Sequence, residues 1–274
     1  MTNYNQINKY HTIILFLFSF FFLILNIEIQ IKNIIIICFF LIATIGVSHG
    51  SLDHVKGAKL LKIFKVKNKL LFYLTYIFIS FAVICSWLIL PFFTLTIFLI
   101  IASYHFGKED SVFGKIKEFK LSSLFLFLKG SLVISAPLYF HANETIKIFE
   151  VLDIEFSQYN NNLVIVLISL SLISNFFISK NVFLSLLDSL TIIIFNIIFN
   201  PLFAFTIYFC FLHSVRHSLS LIKDMSHKNF KKGLLGFLKK ALPLTIITAF
   251  SFLIAAFLLN EHYLLSSAIL KVIF

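Results

Sequence analysis

The sequence predicts an all-α fold, a polytopic transmembrane bundle of about nine or ten helices. Hydrophobic residues make up 59% of the chain, the mean hydropathy is +0.98, and charged residues account for only 13%. Soluble domains carry about a quarter charged residues. Apolar runs long enough to cross a hydrocarbon core of about 30 Å also recur along the sequence. Because the connections between these runs are short, we expect residues 1–274 to form a single integral-membrane domain.

The expected spans follow one another from the N-terminus. The first has no small-residue cleavage site, so it is predicted to be a retained helix rather than a signal peptide. The last run, His262–Phe274, is about 20 Å long as a helix, which is too short to span and indicates a short or truncated last helix. The other predicted spans are His11–Ile29, Asn33–Gly50, Leu70–Leu90, Pro91–Phe106, Leu121–Phe140, Leu163–Ser179, Val182–Phe199, Pro201–Ile222 and Ala241–Leu259.

The net charge of +11 is distributed in a way that argues against nucleic-acid binding. Lysines concentrate in the connections after the second, fourth and eighth spans, whereas the connection His141–Asn162 is acidic. By the positive-inside rule the basic connections and the N-terminus are cytoplasmic. We therefore expect a multi-pass protein of the cell (inner) membrane, whose lysines set the topology and contact lipid headgroups. The lysines are Lys56, Lys59, Lys62, Lys65, Lys67 and Lys69, then Lys108, Lys115, Lys117 and Lys120, then Lys223, Lys228, Lys231, Lys232, Lys239 and Lys240.

Four histidines share one predicted depth near the cytoplasmic side. His49 ends the second span and His105 ends the fourth, while His213 and His217 lie in the cytoplasmic half of the eighth. The last two are four residues apart and therefore share one helix face. Ionisable side chains inside a membrane are costly and mark functional sites. Because a cluster of neutral imidazoles suits a borderline transition metal, these four are the candidate metal ligands.

Three carboxylates are candidates for an outer layer around such a site. Ligating histidines usually donate their second ring N–H to a carboxylate or carbonyl. Asp53 follows His49 by one turn, Asp110 lies just past His105, and Asp188 sits in the middle of the seventh span. Arg216, the one arginine of the chain, is expected to extend to the cytoplasmic headgroups.

Glycine spacing near the first of these histidines predicts close helix packing. Gly46 and Gly50 are four residues apart around His49, and small residues at that spacing let helices approach each other closely.

Three other classes of protein remain alternatives at this point. A bis-histidine haem protein would carry paired histidines on two helices at separate depths. A metal transporter often has inverted repeats around a midplane site, and no internal repeat is apparent here. A membrane di-iron desaturase needs several histidine boxes, whereas this chain has one HxxxH motif.

Four stretches of the chain contain motifs with a recognisable spacing. Gly46–His54 contains HGxxDH, and Ser103–Asp110 contains HFGxxD. Phe203–His217 contains F-x-x-YF followed by HSxRH, and Pro137–Glu144 contains PxxFHxxE. These motifs, in their order over most of the chain, resemble those of the Brp/Blh family of membrane β-carotene 15,15'-dioxygenases, so the chain is identified as a member of that family. Family members carry the last segment further than this chain does.

The resemblance implies a reaction, a cofactor and partners. Members cleave the central double bond of β-carotene with O2 to give two molecules of all-trans retinal, which then serves a rhodopsin. The reaction takes place at a non-haem Fe(2+), and the family's essential histidines correspond to His49, His105, His213 and His217. β-Carotene is apolar and resides in the lipid bilayer, so it would enter sideways from lipid. A membrane metal- or haem-binding protein or transporter without oxygenase activity is the alternative.

Overall fold

In the computed structural model, the chain folds almost entirely into helices. The structure describes residues 3–25, 34–48, 50–111, 116–117, 119–154, 160–226 and 229–273. Within these ranges the β pairing is limited to an isolated antiparallel bridge between Ile116 and Ser179. The all-α fold class predicted from the sequence is thus confirmed.

The helices follow the chain with short connections. Two of the helical paths contain a π-helical segment, here called π1 and π2, and Gly50–Leu52 forms a single 3₁₀ turn. The elements are α1 (Asn3–Leu25), α2 (Ile34–Leu41), π1 (Ile42–Gly46), α3 (Asp53–Ile63), α4 (Lys69–Ile89), α5 (Pro91–Glu109), α6 (Ser122–Gly130), α7 (Leu132–Phe140), α8 (Ala142–Val151), α9 (Asn161–Ile178), α10 (Val182–Ile198), α11 (Pro201–Ile207), π2 (Tyr208–His213), α12 (Ser214–Met225), α13 (Phe230–Asn260) and α14 (Leu265–Ile273).

Six helical stretches in the described residues are long and apolar enough to cross a membrane, fewer than the nine or ten expected. Of the remaining expected spans, Pro91–Phe106 lies in α5, a continuous helix of 19 residues that ends in polar and charged residues. The others correspond to shorter or interrupted helices. α10 has 17 residues and α14 has nine, the latter as anticipated from its sequence. The path from α11 to α12 is interrupted by π2. The six stretches are Tyr4–Leu25, Ile34–Ile63, Leu70–Ile89, Ser122–Phe140, Asn161–Ile178 and Phe230–Asn260.

Asparagine side chains start several of these helices. An N-cap side chain accepts a hydrogen bond from a backbone N–H that the first turn leaves unpaired. Each cap binds an N–H two or three residues further along the chain, which fixes where the helix begins. The capping residues are Asn68, Asn160, Asn181, Asn200 and Asn229.

The lysine-rich connections are partly helical, which differs from their prediction as loops. Lys56, Lys59 and Lys62 lie on α3, and Lys231 and Lys232 lie in the first turn of α13. The cap at Asn229 starts α13 eleven residues before the apolar stretch predicted from Ala241. A helix can continue past the hydrocarbon region because its backbone hydrogen bonds stay internal.

Helix α5 packs very closely against α6. A Cβ added to Gly107 would lie 1.8 Å from the carbonyl oxygen of Leu126, and one added to Gly130 would lie 1.8 Å from that of Ser103. Only glycine leaves space for such an approach of two backbones. This contact fixes the position of the last turns of α5, where His105 lies.

The interior and the periphery of the bundle differ in composition. None of the residues in the hydrophobic stretch of α4 is buried. In contrast, α10 and α12 carry buried polar side chains. Between α9 and α10, Asn175 accepts a hydrogen bond from Ser185 at 2.5 Å and donates one to Ser189 at 3.0 Å. Such polar contacts hold helices together where both surfaces lie in an apolar surrounding.

Candidate functional site

Three of the four predicted ligand histidines lie together where α5, π2 and α12 meet. The ring centroids of His105 and His213 are 5.2 Å apart, and those of His105 and His217 are 6.4 Å apart. His213 and His217 are almost completely buried. His49, the fourth predicted ligand, lies outside the described residues.

Two of the three chain segments that carry the expected ligands contain a π-helical segment. π2 ends at His213, and π1 ends three residues before His49. The two segments lie against each other: a Cβ on Gly46 would be 2.8 Å from Cε1 of Phe209, while Gly50 has more room. The close approach predicted from the glycine spacing therefore occurs at Gly46. A π turn alters the face on which the following residues emerge and is frequent at functional sites.

Carboxylates orient two of the three histidines. Nδ1 of His213 lies 3.0 Å from Oδ1 of Asp110, and Nδ1 of His217 lies 2.8 Å from Oε2 of Glu109. An ionised carboxylate only accepts hydrogen bonds, so Nδ1 donates in both pairs. The lone pair of each ring is then on Nε2, which is the arrangement found in histidines that ligate a metal.

The local charges keep these two carboxylates ionised. Burial opposes ionisation of Glu109, but the hydrogen bond from His217 and the charge of Lys56 lower its pKa below the usual range. Burial likewise opposes ionisation of Asp110, and the hydrogen bond from His213 together with the Arg216 charge lowers its pKa below the usual range. Tyr208 donates a further hydrogen bond to Asp110 Oδ2 at 2.7 Å.

Arg216 is buried inside the bundle, so the expectation that it extends to the headgroups is wrong. Its Nη2 donates to Asp188 Oδ1 at 2.5 Å and to Thr12 Oγ1 at 2.7 Å, and its Nη1 donates to the backbone carbonyl of Asp110 at 3.1 Å. A buried guanidinium persists only when it is paired and hydrogen-bonded. Asp188 was predicted to accompany a histidine, but it contacts Arg216 instead. Asp188 is linked to the site only indirectly, because Arg216 also donates to the backbone carbonyl of Asp110.

Asp53 and Lys56 lie on α3, next to the cluster. Asp53 accepts a long hydrogen bond from the Tyr76 hydroxyl at 3.4 Å. Nζ of Lys56 lies 3.0 Å from Nε2 of His217. An ammonium has only donors, so Nε2 accepts. This agrees with the tautomer that the Glu109 pair imposes.

The donor set suits a divalent cation, although the described residues alone do not form a complete metal site. Without His49, no three histidine, cysteine or carboxylate side chains there are arranged to bind a metal ion together. The Lys56 ammonium lies where a cation would approach Nε2 of His217. Metal binding at this nitrogen would require Lys56 to move. Imidazole donors with carboxylates behind them are nevertheless what a borderline transition metal prefers.

An apolar cavity of about 370 Å³ lies beside the histidine cluster. Phe106 and Phe209 line it and also contact the ring of His213, with centroid distances of 4.9 Å and 5.7 Å. The cavity falls within the range of small-molecule sites, about 300–1,000 Å³. The two phenylalanines thus form the wall shared by the cavity and the histidine cluster.

Sequence reasoning missed several residues of this site. Glu109 falls in the basic connection predicted after the fourth span, although it lies four residues after His105 and therefore on the same helix face. Tyr208 has no distinctive sequence signal, because a tyrosine in an apolar run suits the core and the interfacial aromatic belt equally well. Lys56 carried no local signal at all, because its contact with His217 joins residues 161 positions apart.

Comparisons with known proteins agree with these features. Residues 40–274 match the family model described as Beta-carotene 15,15'-dioxygenase. A curated relative with that name, from an uncultured marine bacterium (66A03), is 30% identical over 251 residues, which cover 85% of this chain and 85% of the relative. No solved structure matches the chain significantly.

Proposed function

This chain belongs to the beta-carotene 15,15'-dioxygenase family, and we propose that it cleaves the central double bond of β-carotene with O2. The products are two molecules of all-trans retinal, and each aldehyde carbonyl takes one oxygen atom of O2. The observation that carries this proposal is the wall of Phe106 and Phe209 between a buried histidine cluster and an apolar cavity. A redox-active metal site and a lipid-soluble polyene would meet at this wall.

The proposed cofactor is Fe(2+), held by His49, His105, His213 and His217. When bound, it would supply the binding and activation of O2, since four neutral ligands leave coordination positions open. Support comes from Asp110 and Glu109, which accept hydrogen bonds from Nδ1 of His213 and His217 and so place the lone pair of each ring on Nε2. The protein contributes fixed ligands, burial from water and the placement of the substrate bond, which is catalysis by positioning.

The proposed location is the cell inner membrane, with the N-terminus and the histidine cluster on the cytoplasmic side. Support comes from Lys56 on α3, which contacts His217 of the cluster, and from Lys231 and Lys232 in the first turn of α13, a helix that packs against α12. Lysine-rich segments stay on the cytoplasmic side and bind anionic headgroups. The proposed functional partner that receives the retinal is a retinal-binding rhodopsin.

Expression in β-carotene-producing bacteria tests the function. The wild-type chain is expected to remove the orange colour and to give retinal on chromatography, whereas His213→Ala is expected to give none. His141→Ala is the matched control, because Nε2 of His141 contacts the carbonyl of Asn196 at 2.8 Å, away from the cluster. β-Carotene that is retained while the wild-type protein is present in the membrane would contradict the proposal.

The iron content of protein purified from the same membranes tests the ligand assignment separately from the activity. Purified wild-type protein is expected to contain about one iron per chain and to lack a Soret band, which a haem protein would show. Full activity and full iron content in His213→Ala would overturn the ligand set but leave the dioxygenase activity standing.

A further inference from the structure

The apolar cavity is elongated along α5. The α5 side chains that line it recur at spacings of three or four residues, so they occupy one face of the helix. The first and last of them are twelve residues apart, which corresponds to about 18 Å of helix. The cavity thus follows α5 from its first turn to the residue after His105. These residues are Thr94, Leu95, Phe98, Leu99, Ala102 and Phe106.

The cavity presents almost no polar group to a ligand. The hydroxyls among its lining side chains belong to Thr94 and Thr145, and both are hydrogen-bonded within the protein. Thr94 donates to the carbonyl of Leu90 at 2.9 Å, and Thr145 donates to that of His141 at 2.9 Å. A ligand without polar atoms can therefore enter the cavity without leaving a buried polar group unpaired.

The two ends of the cavity differ. One end is the wall of Phe106 and Phe209 beside His213. The other is closed by an apolar end cluster in which Leu95 and Leu152 are 4% exposed, with Trp87 and Phe149 packed against them. The α4, α5 and α8 segments that form the end cluster are separate in sequence.

A side of the cavity faces the lipid. Val83 on α4 and Phe98 on α5 line the cavity although they are 52% and 54% exposed. The outer surface at this point is that of α4, whose hydrophobic stretch contains no buried residue. A molecule dissolved in the hydrocarbon core would reach the cavity between these two helices.

We propose that this cavity holds one half of the carotenoid, and that the end cluster fixes how far the terminal ring enters. The inference rests on the proposed function. β-Carotene is symmetric and rigid, so its reactive position is set by the distance from the ring to the histidines. When the ring stops against Leu152 and Leu95, the central double bond lies at Phe106 and Phe209, the two side chains that contact the His213 ring. The end cluster thus determines which double bond of the carotenoid is cleaved.

Product analysis tests the role of the end cluster. In Leu152→Ala the ring is expected to enter further, so that an off-centre double bond reaches the histidines and unequal apocarotenals appear beside retinal. A change of one methylene in an apolar pocket alters discrimination about tenfold or more, which is a measurable shift in product ratio. Ile97→Ala is the control, because Ile97 lies on α5 near Leu95 but is exposed and does not line the cavity. It is expected to form retinal alone.

The outcomes separate this inference from the proposed function. Wild-type protein that forms no retinal would contradict the function itself. Retinal as the sole product in both Leu152→Ala and Leu95→Ala, with kcat and KM unchanged, would overturn the role of the end cluster alone.

The single tryptophan of the chain, Trp87, gives a second measurement that does not need turnover. It lines the cavity beside the end cluster. Without oxygen, β-carotene added to vesicles with the wild-type protein is expected to quench Trp87 fluorescence in a saturable way. In a variant with both Trp87→Phe and Ile97→Trp, the tryptophan faces lipid, and quenching is expected to rise linearly with β-carotene. Linear quenching in both proteins would contradict binding at the end cluster.

Discussion

Glu109 accepts a hydrogen bond from Nδ1 of His217 at 2.8 Å and thereby joins the last turn of α5 to α12. His105 lies one turn earlier on the same helix, and Asp110, the next residue, binds His213. The last turns of α5 thus supply one proposed ligand and the carboxylates that orient two others. We expect the geometry of the whole cluster to depend on these turns.

Neutralising the two carboxylates is expected to weaken iron binding. Glu109→Gln and Asp110→Asn each remove the charge that fixes Nδ1 of a proposed ligand as donor, and loss of such a partner typically lowers metal affinity about 10–100-fold. The measurement is the iron retained by purified protein against increasing chelator. Asp224→Asn is the control, since Asp224 pairs with Lys59 at the surface. Iron retention equal to wild type in both variants would refute the assignment of these carboxylates.

Removing the Lys56 ammonium is expected to strengthen metal binding. Lys56 donates to Nε2 of His217 at 3.0 Å, the nitrogen proposed to bind iron. An intramolecular hydrogen bond contributes about 0.5–1.5 kcal/mol, so Lys56→Met should tighten iron binding by about two- to twelvefold. Equilibrium competition with a chelator measures this. Lys59→Met is the control and should leave the iron affinity unchanged, because Lys59 lies on the same helix but contacts Asp224. Weaker iron binding in Lys56→Met would contradict the proposal that Lys56 and iron compete for Nε2 of His217.

Breaking the buried ion pair is expected to cost far more stability than breaking an exposed one. Arg216 and Asp188 are 1% and 9% exposed as side chains, and removal of one partner from a buried pair costs about 3–5 kcal/mol. Asp188→Leu should show this loss in unfolding by detergent titration. The double variant Asp188→Leu with Arg216→Met should recover much of it, because no buried charge remains unpaired.

The control for that experiment is the exposed pair of Lys59 and Asp224, whose side chains are 55% and 45% exposed. Such pairs contribute about 0–1 kcal/mol, so Asp224→Asn should change stability little. Equal effects of Asp188→Leu and Asp224→Asn would show that the buried pair is not structurally important.

Adding a methyl group between α5 and α6 is expected to disturb both stability and the site. The Cβ of Gly107→Ala would lie 1.8 Å from the carbonyl oxygen of Leu126, a backbone atom that cannot move without displacing α6. Overpacking of this kind costs about 1–3 kcal/mol or more, and it should shift His105 and lower retinal formation.

Gly236→Ala is the matched variant for the glycine experiment. The nearest atom to its Cβ would be Sδ of Met225 at 3.3 Å, the end of a flexible side chain. Alanine stabilises a helix interior by about 1 kcal/mol relative to glycine, so this variant should unfold later than wild type. If Gly107→Ala behaves in the same way, the close contact of α5 and α6 does not constrain the site.

The sequence by itself determined that the chain is helical and apolar, and it selected the histidines. Hydropathy and helical spacing are local quantities, so they are readable without knowing which helices are neighbours. The spacing of His213 and His217, together with the position of His105 at the end of an apolar run, led to a cluster at one depth. That these residues bind iron stays a prediction, and His49 lies outside the described residues.

Only the tertiary structure decided which groups accompany the histidines. Arg216 was expected at the headgroups because its own segment ends near the membrane surface. It is buried because Asp188, 28 residues away, offers a partner that compensates its desolvation. The Lys56 contact and the cavity beside Phe106 likewise depend on helices distant in sequence. The physical reason is that transfer of a helix to lipid depends on its own composition, whereas the burial of a charge depends on a partner that packing alone provides.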